Sequence, residues 1–243
     1  MELEILKDVV EQTSETMCLA KFHHANITLF RNEIAGCYHN PLTPLGTTLE
    51  TFYNTQVRRQ EQKQMLDGGK PTGCNYCWNT EAQGVVSDRT IFSRLFKDHE
   101  PIHFYKNPSH IFKPKYLELS FQKTCNLACS YCNPDFSTAW VNDIRVNGKY
   151  VNIPTDSRHH YDRDEYLVRD YNGPLFWEWF ESVVGGLETL RITGGEPLLH
   201  HELFATLDFA LQRNPDLRVA VNSNLINSEA IMDRFIAGIQ RFK

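Results

Sequence analysis

Cys125, Cys129 and Cys132 form C-x3-C-x2-C directly after a run in which Leu117, Leu119 and Phe121 alternate with Glu118 and Ser120. The alternation has the period of a strand, so the fold must deliver a strand end to three thiols. Iron–sulfur clusters are normally held by four cysteines, and a compact triplet suits a four-iron cluster with one iron left for another ligand. Zinc also takes thiolates, but no fourth ligand stands close to the triplet in sequence.

A second predicted strand, Thr189–Thr193, runs into the glycine-rich Thr193-Gly194-Gly195-Glu196-Pro197. Next come a helix carrying Leu203, Leu207, Ala210 and Leu211, a third strand over 217 to 222, and a helix marked by Ile231, Phe235 and Ile239. Strands alternating with helices predict parallel βαβ units, whose ligands gather at the carboxyl ends of the strands. Residues 137 to 172 read as an insertion in the first crossover, with Asn147-Gly148 predicting a hairpin turn, ahead of a helix containing Trp177 and Phe180.

Upstream, residues 25 to 37 read as a β-hairpin. Residues 49 to 66 read as one helix with Leu49, Phe52, Tyr53 and Val57 on a face and Gly68-Gly69 as its stop. Cys18, Cys37, Cys74 and Cys77 precede residue 80, so the seven cysteines divide as four plus three. An odd count fits poorly with complete disulfide pairing, and such cysteines are expected to be ligands in a reducing compartment. The amino-terminal acid opposes a signal peptide, no apolar run approaches about 18 residues, and a cytoplasmic location is expected. A formal net charge of -5 gives no electrostatic case for nucleic acid or an anionic membrane.

With Tyr131 as the aromatic before the last cysteine and the Gly-Gly-Glu-Pro segment after the next strand, the triplet resembles the signature of the radical S-adenosylmethionine superfamily. The resemblance implies an α/β fold, a partial (β/α) barrel. A [4Fe-4S] cluster would sit on Cys125, Cys129 and Cys132, with an external electron donor. S-adenosylmethionine would be cleaved to a 5′-deoxyadenosyl radical that takes hydrogen from a peptide or small molecule. It further implies Tyr131 against the adenine, and Gly194, Gly195 and Glu196 at the methionine end. Glycine permits close approach of the main chain and Glu196 offers acceptors to an amine. Ser223 and Asn224 match in type the superfamily's Thr-Asn-Gly segment, where Leu225 replaces glycine, and are otherwise ordinary turn residues.

Cys18, Cys37 and the Cys74-x2-Cys77 pair, with Trp78, Glu81 and Arg89, resemble the twitch or half-SPASM module that holds an auxiliary [4Fe-4S] cluster, here placed ahead of the barrel. A closed four-thiolate cage suits zinc equally well. The expected domains are 1–112, a small α+β cysteine-rich module, and 113–243, the barrel portion with its insertion. The latter holds about three βα units at roughly 30 residues each. Three parallel strands alone would leave an open edge, so a second chain or self-association is expected to cover it. His23-His24, His159-His160 and His200-His201 are read as non-ligands because neighbouring side chains point apart, and Arg58-Arg59 as a solvated helix face. No acid–base catalytic residue is assigned. The alternatives are a non-catalytic iron–sulfur or zinc-binding partner subunit and, more weakly, an electron carrier.

Overall fold

The computed structural model describes residues 14–95, 102–107, 110–152, 161, 168–169 and 171–242; His159-His160 and most of the later insertion lie outside the described residues. In chain order the elements are α1 (Ala20–His23), β1 (His24–Thr28), β2 (Glu33–Ala35), β3 (Thr43–Pro44), α2 (Leu49–Tyr53), α3 (Gln56–Leu66), α4 (Asn75–Ala82), α5 (Asp88–Leu95), α6 (Ile102–Tyr105) and β4 (Tyr116–Ser120). Then follow α7 (Thr138–Asn147), α8 (Gly173–Val184), β5 (Thr189–Thr193), α9 (His201–Arg213), β6 (Arg218–Val221) and α10 (Glu229–Ile239). The strands form one sheet in the order β3-β2-β1-β4-β5-β6. The chain packs as two compact units, each discontinuous in sequence. The first comprises residues as far as Asn26 with Ile34–Leu117 and Pro174–Gly186; the second comprises Ile27–Glu33, Glu118–Gly173 and the chain from Leu187.

In the first unit, the single helix expected over 49 to 66 is two. Thr48 makes a reciprocal capping box with Thr51, and the Thr55 hydroxyl accepts from the Arg58 N–H at 3.3 Å. Two N-cap threonines so close together each start a helix, and the chain breaks between them. Only Phe52 and Tyr53 of the anticipated face are buried, while Leu49 and Val57 are exposed. Gly68, at φ +82, ends α3 as expected. The core is aromatic: Phe22 meets Tyr105 and Phe112 edge-on, with centroids at 5.1 and 4.8 Å, and Phe52 lies 4.9 Å from Trp179. His23 and His24 are buried in this core, His23 against the Tyr105 hydroxyl at 2.6 Å and His24 between Tyr38 and Tyr116.

In the second unit, β5 and β6 pair in parallel, with Thr189 opposite Arg218 and Ile192 opposite Val221. Leu190 and Ile192 are buried, and α9 buries Leu203, Phe204, Leu207 and Ala210. Both faces of β4 are covered, because Glu118 and Ser120 are buried along with Leu119. A strand covered on both faces needs polar partners for such residues. The Ser120 hydroxyl bonds that of Thr193 at 2.8 Å, and Glu118 faces Arg191 at 3.7 Å. The hairpin turn expected at Asn147-Gly148 is instead a helix end: Ser137 caps α7 at its start and Gly148, at φ +90, follows its last residue. β4 has β1 as its other neighbour, so the sheet's outer strand in this unit is β6. No described helix is long and apolar enough to cross a membrane.

Candidate metal and cofactor sites

The loop leaving β4 presents the triplet and is pinned by the start of α7. The Thr138 hydroxyl accepts from the Cys125 N–H at 3.0 Å and donates to the Cys125 carbonyl at 3.1 Å, while Ser137 Oγ donates to Leu127 O at 2.8 Å. Trp140 Nε1 donates to Cys129 O at 2.9 Å and the Tyr161 hydroxyl to Cys132 O at 2.5 Å. All these bonds engage backbone, which leaves the three thiols partly exposed and free of disulfides. Burial pushes the Cys132 thiol above its ordinary value, and Cys125 and Cys129 push the same way. Three such thiols are the donor set a cluster with one open iron requires. Tyr131 is 83 % exposed beside them.

The glycine segment after β5 docks on the backbone that enters the triplet. Gly195 N–H donates to Gln122 O at 3.1 Å and Glu196 N–H to Thr124 O at 2.8 Å. Gly194 adopts φ +114, and a Cβ on Gly195 would sit 2.2 Å from Thr124 O. Both positions therefore require glycine, one for its conformation and one for contact. Glu196 is buried, and its Oε1 accepts from Leu198 N–H at 3.0 Å and Ser223 Oγ at 2.6 Å, its Oε2 from Asn224 N–H at 2.7 Å. One carboxylate thus ties the end of β5 to the end of β6, with acceptor capacity left on Oε2. Asn224 reaches the triplet loop through Asn126 at 2.8 Å. His200 is buried against Thr124 O at 3.1 Å and its neighbour His201 is exposed.

Leu225, standing where the resemblance places glycine, adopts φ +59. A left-handed non-glycine residue costs about 1–2 kcal/mol, partly offset by the extra freedom glycine has when unfolded. Leu225 is exposed and gives up little packing. Leu225→Gly is expected to stabilise the chain by about 0.5–1 kcal/mol in denaturant unfolding; an unchanged or lowered midpoint would contradict the strain.

In the first unit, Cys18, Cys37, Cys74 and Cys77 line one pocket together with Lys21, His39, Asn40, Asp88 and Arg89. Cys18 precedes α1, Cys37 follows β2, Cys74 precedes α4 and Cys77 lies in its first turn. Burial pushes the Cys18 thiol up to about 12 and raises Cys74 and Cys77. Cys37 Sγ donates to Asn40 Oδ1 at 3.2 Å and Asn40 Nδ2 points to Cys74 Sγ at 3.6 Å. Among the described residues no three or more His, Cys, Asp or Glu are drawn together as the ligands of one metal ion. Arg89 braces the pocket: its fork meets Glu81 at 2.8 Å on both oxygens, its guanidinium lies 4.9 Å from the Trp78 ring centroid, and it donates to Met17 O at 2.7 Å. Burial opposes ionisation of Glu81, but the bonds from Arg89 and Ser87 outweigh it and hold the carboxyl below its usual range. Trp78, Glu81 and Arg89 thus come together.

Sequence reading missed Asn40, the His39–Asp88 contact under Tyr76, and the pinning residues Thr138 and Tyr161. It also misplaced Arg58, which is buried and donates to His24 O at 2.8 Å and to the Tyr53 hydroxyl at 2.5 Å. Arg59 alone occupies the solvated face, near Glu50 at 3.2 Å.

Sequence relatives support the radical S-adenosylmethionine superfamily over about half the chain. The chain is 32 % identical over 127 residues to the GTP 3′,8-cyclase of Xanthomonas campestris pv. campestris, 51 % of this chain and 31 % of the cyclase. It is 29 % identical over 120 residues to that of Aliarcobacter butzleri, 49 % and 30 % of the two chains, and 28 % identical over 130 residues to that of Campylobacter jejuni subsp. doylei, 53 % and 33 %. The matches span about a third of the length of these enzymes. No family model and no solved structure matches the chain.

Proposed function

We propose that the chain is a radical S-adenosylmethionine enzyme, or the part of one that binds the cluster and cofactor. The observation that carries this reading is the backbone docking of Gly195 and Glu196 on Gln122 and Thr124, immediately before Cys125. It ties the loop of the three cysteines to the Gly-Gly-Glu-Pro segment, which supports reading the two as one site. When bound, the cluster supplies the electron that cleaves S-adenosylmethionine to a 5′-deoxyadenosyl radical, which takes hydrogen from the substrate.

In this reading Cys125, Cys129 and Cys132 hold three irons, and the helix α7 contacts fix the spacing of their Cα atoms. Gly194 and Gly195 let the main chain approach the methionine end, and Glu196 Oε2 accepts from its amino group. Ser223 and Asn224 hold the carboxylate of Glu196 in place. Tyr131, exposed, is available to cover the adenine. Cys18, Cys37, Cys74 and Cys77 hold an auxiliary [4Fe-4S] cluster in a twitch-like module; a closed cage leaves it electron transfer or structural support.

An external donor supplies electrons, and a second chain or self-association covers the outer strand β6. The substrate is a peptide or small molecule, and GTP, the substrate in the relatives' name, is the first small molecule to try. The test is 5′-deoxyadenosine release by the anaerobically reconstituted, reduced chain, with iron and sulfide counted. Near eight of each per chain is expected for two four-iron clusters, with nucleoside released above a no-protein blank. Stoichiometric zinc without sulfide, or a fully loaded chain that releases none, would overturn the reading.

A further inference from the structure

Lys21 and Arg58 are cations buried to 2 % and 5 % exposure in the first unit. Lys21 has its own anion, Glu61 Oε2 at 2.5 Å, and also donates to Asn40 Oδ1 at 2.9 Å. Arg58 has only neutral partners: the His24 carbonyl, the Tyr53 hydroxyl, and the Tyr53 ring 4.0 Å below its guanidinium. Its Nε has no hydrogen-bond partner, and among the described residues no carboxylate pairs with it. A buried charge without a counter-charge is strongly unfavourable. Burial accordingly pulls the guanidinium below its ordinary value, with Tyr53, Cys37, Glu61 and Cys18 acting the other way.

The geometry indicates where the missing anion belongs. Lys21 lines the pocket of the four cysteines, and Asn40 contacts Lys21, Cys37 and Cys74 at once. A Cβ on Gly36, the residue before Cys37, would lie 3.3 Å from an Arg58 Nη, 3.4 Å from Lys21 Cδ and 3.2 Å from Asn40 Oδ1. Both cations therefore converge on the backbone that presents Cys37. Four thiolates around zinc, or around an oxidised four-iron core, carry a net charge of about -2. Glu61 already offsets Lys21, so the described residues offer that dianion one uncompensated buried cation, Arg58.

We propose that Arg58, beside the Glu61-paired Lys21, is the built-in counter-charge of the four-cysteine centre, and that it gains its anion only when the centre is loaded. The inference rests on the reading of Cys18, Cys37, Cys74 and Cys77 as one metal or cluster site. It requires only their charge, whichever metal they hold.

The experiment compares Arg58→Met and Arg58→Lys with the parent in a full-length Cys129→Ser background, where the four-cysteine centre is the one loaded. Iron, sulfide and zinc are counted first. Removing a positive charge disfavours the more negative reduced state, so Arg58→Met is expected to lower the reduced-to-oxidised ratio about tenfold at fixed potential. That is a midpoint about 59 mV more negative for a one-electron couple. Arg58→Lys should stay near the parent. Arg58→Met should also melt lower when loaded but unchanged or higher when metal-free.

Equal loss of stability in both forms with an unmoved midpoint would make Arg58 a plain structural clamp and overturn the proposal. So would a metal-free parent whose melting temperature rises with added phosphate in a way that Arg58→Met abolishes, since the counter-charge would then be a diffusible anion. If Arg58→Met does not fold, Lys21→Met carries the same midpoint comparison with the same expected sign. A preparation holding zinc without sulfide refutes the auxiliary cluster but not this inference, which the zinc-loaded and metal-free melting curves then decide.

Discussion

Gly195→Ala is expected to be among the most damaging single substitutions in the second unit, lowering stability by about 3 kcal/mol. The new Cβ would stand 2.2 Å from Thr124 O and 2.6 Å from the Lys123 carbonyl carbon. These are backbone atoms, so no side chain can swing away. Relief requires parting the two segments, which breaks the bonds from Gly195 N–H to Gln122 O and from Glu196 N–H to Thr124 O. Each such bond is worth about 1 kcal/mol, and their loss also frees the strand end that enters Cys125. Gly238→Ala in α10 is the control, because a Cβ there meets nothing within 4 Å, and alanine favours a helix over glycine by about 1 kcal/mol. Urea unfolding of the two variants measures both effects. Equal midpoints would show that the close docking is not what holds the segments together.

Cys129→Ser is expected to remove the triplet's cluster while sparing the fold. The bonds that pin the loop at this residue use its carbonyl, which accepts from Cys132 N–H at 3.0 Å and from Trp140 Nε1 at 2.9 Å, so the loop retains them. Two thiolates cannot hold the three irons the site requires. Iron per chain should fall from about eight to about four, and 5′-deoxyadenosine to the no-protein blank, with unchanged unfolding of the metal-free chain. Retention of all iron would place the cluster elsewhere. Loss of fold without metal would make the cysteine a core residue.

The site's ends were legible because short-range pattern controls them. Alternation at Leu117, Leu119 and Phe121 marks the strand that leads to the cysteines, and Gly194-Gly195, read as letting the main chain approach a ligand, also lets it approach the backbone of Gln122 and Thr124. What defeated the sequence reading was pairing across long separations. Arg58 looks like surface next to Arg59, and only the fold brings His24, 34 residues earlier, to it. Glu196 reads as a ligand for an amine, and only the fold adds its bridge to Ser223 and Asn224, 27 and 28 residues later. Thr55 is a local cue, since an N-cap threonine inside an apparently continuous helix is reason to divide it. Glu118 could not be read as buried, because its neighbour Arg191 lies on a different strand.

The central claim is that Cys125, Cys129 and Cys132 carry a cluster with an iron open to S-adenosylmethionine. Electron paramagnetic resonance of the reconstituted, reduced chain with and without S-adenosylmethionine tests it most directly. The account predicts two cluster signals, of which one shifts on adding the cofactor and is absent from Cys129→Ser. A chain with its full iron and sulfide whose signals are all indifferent to the cofactor would contradict it.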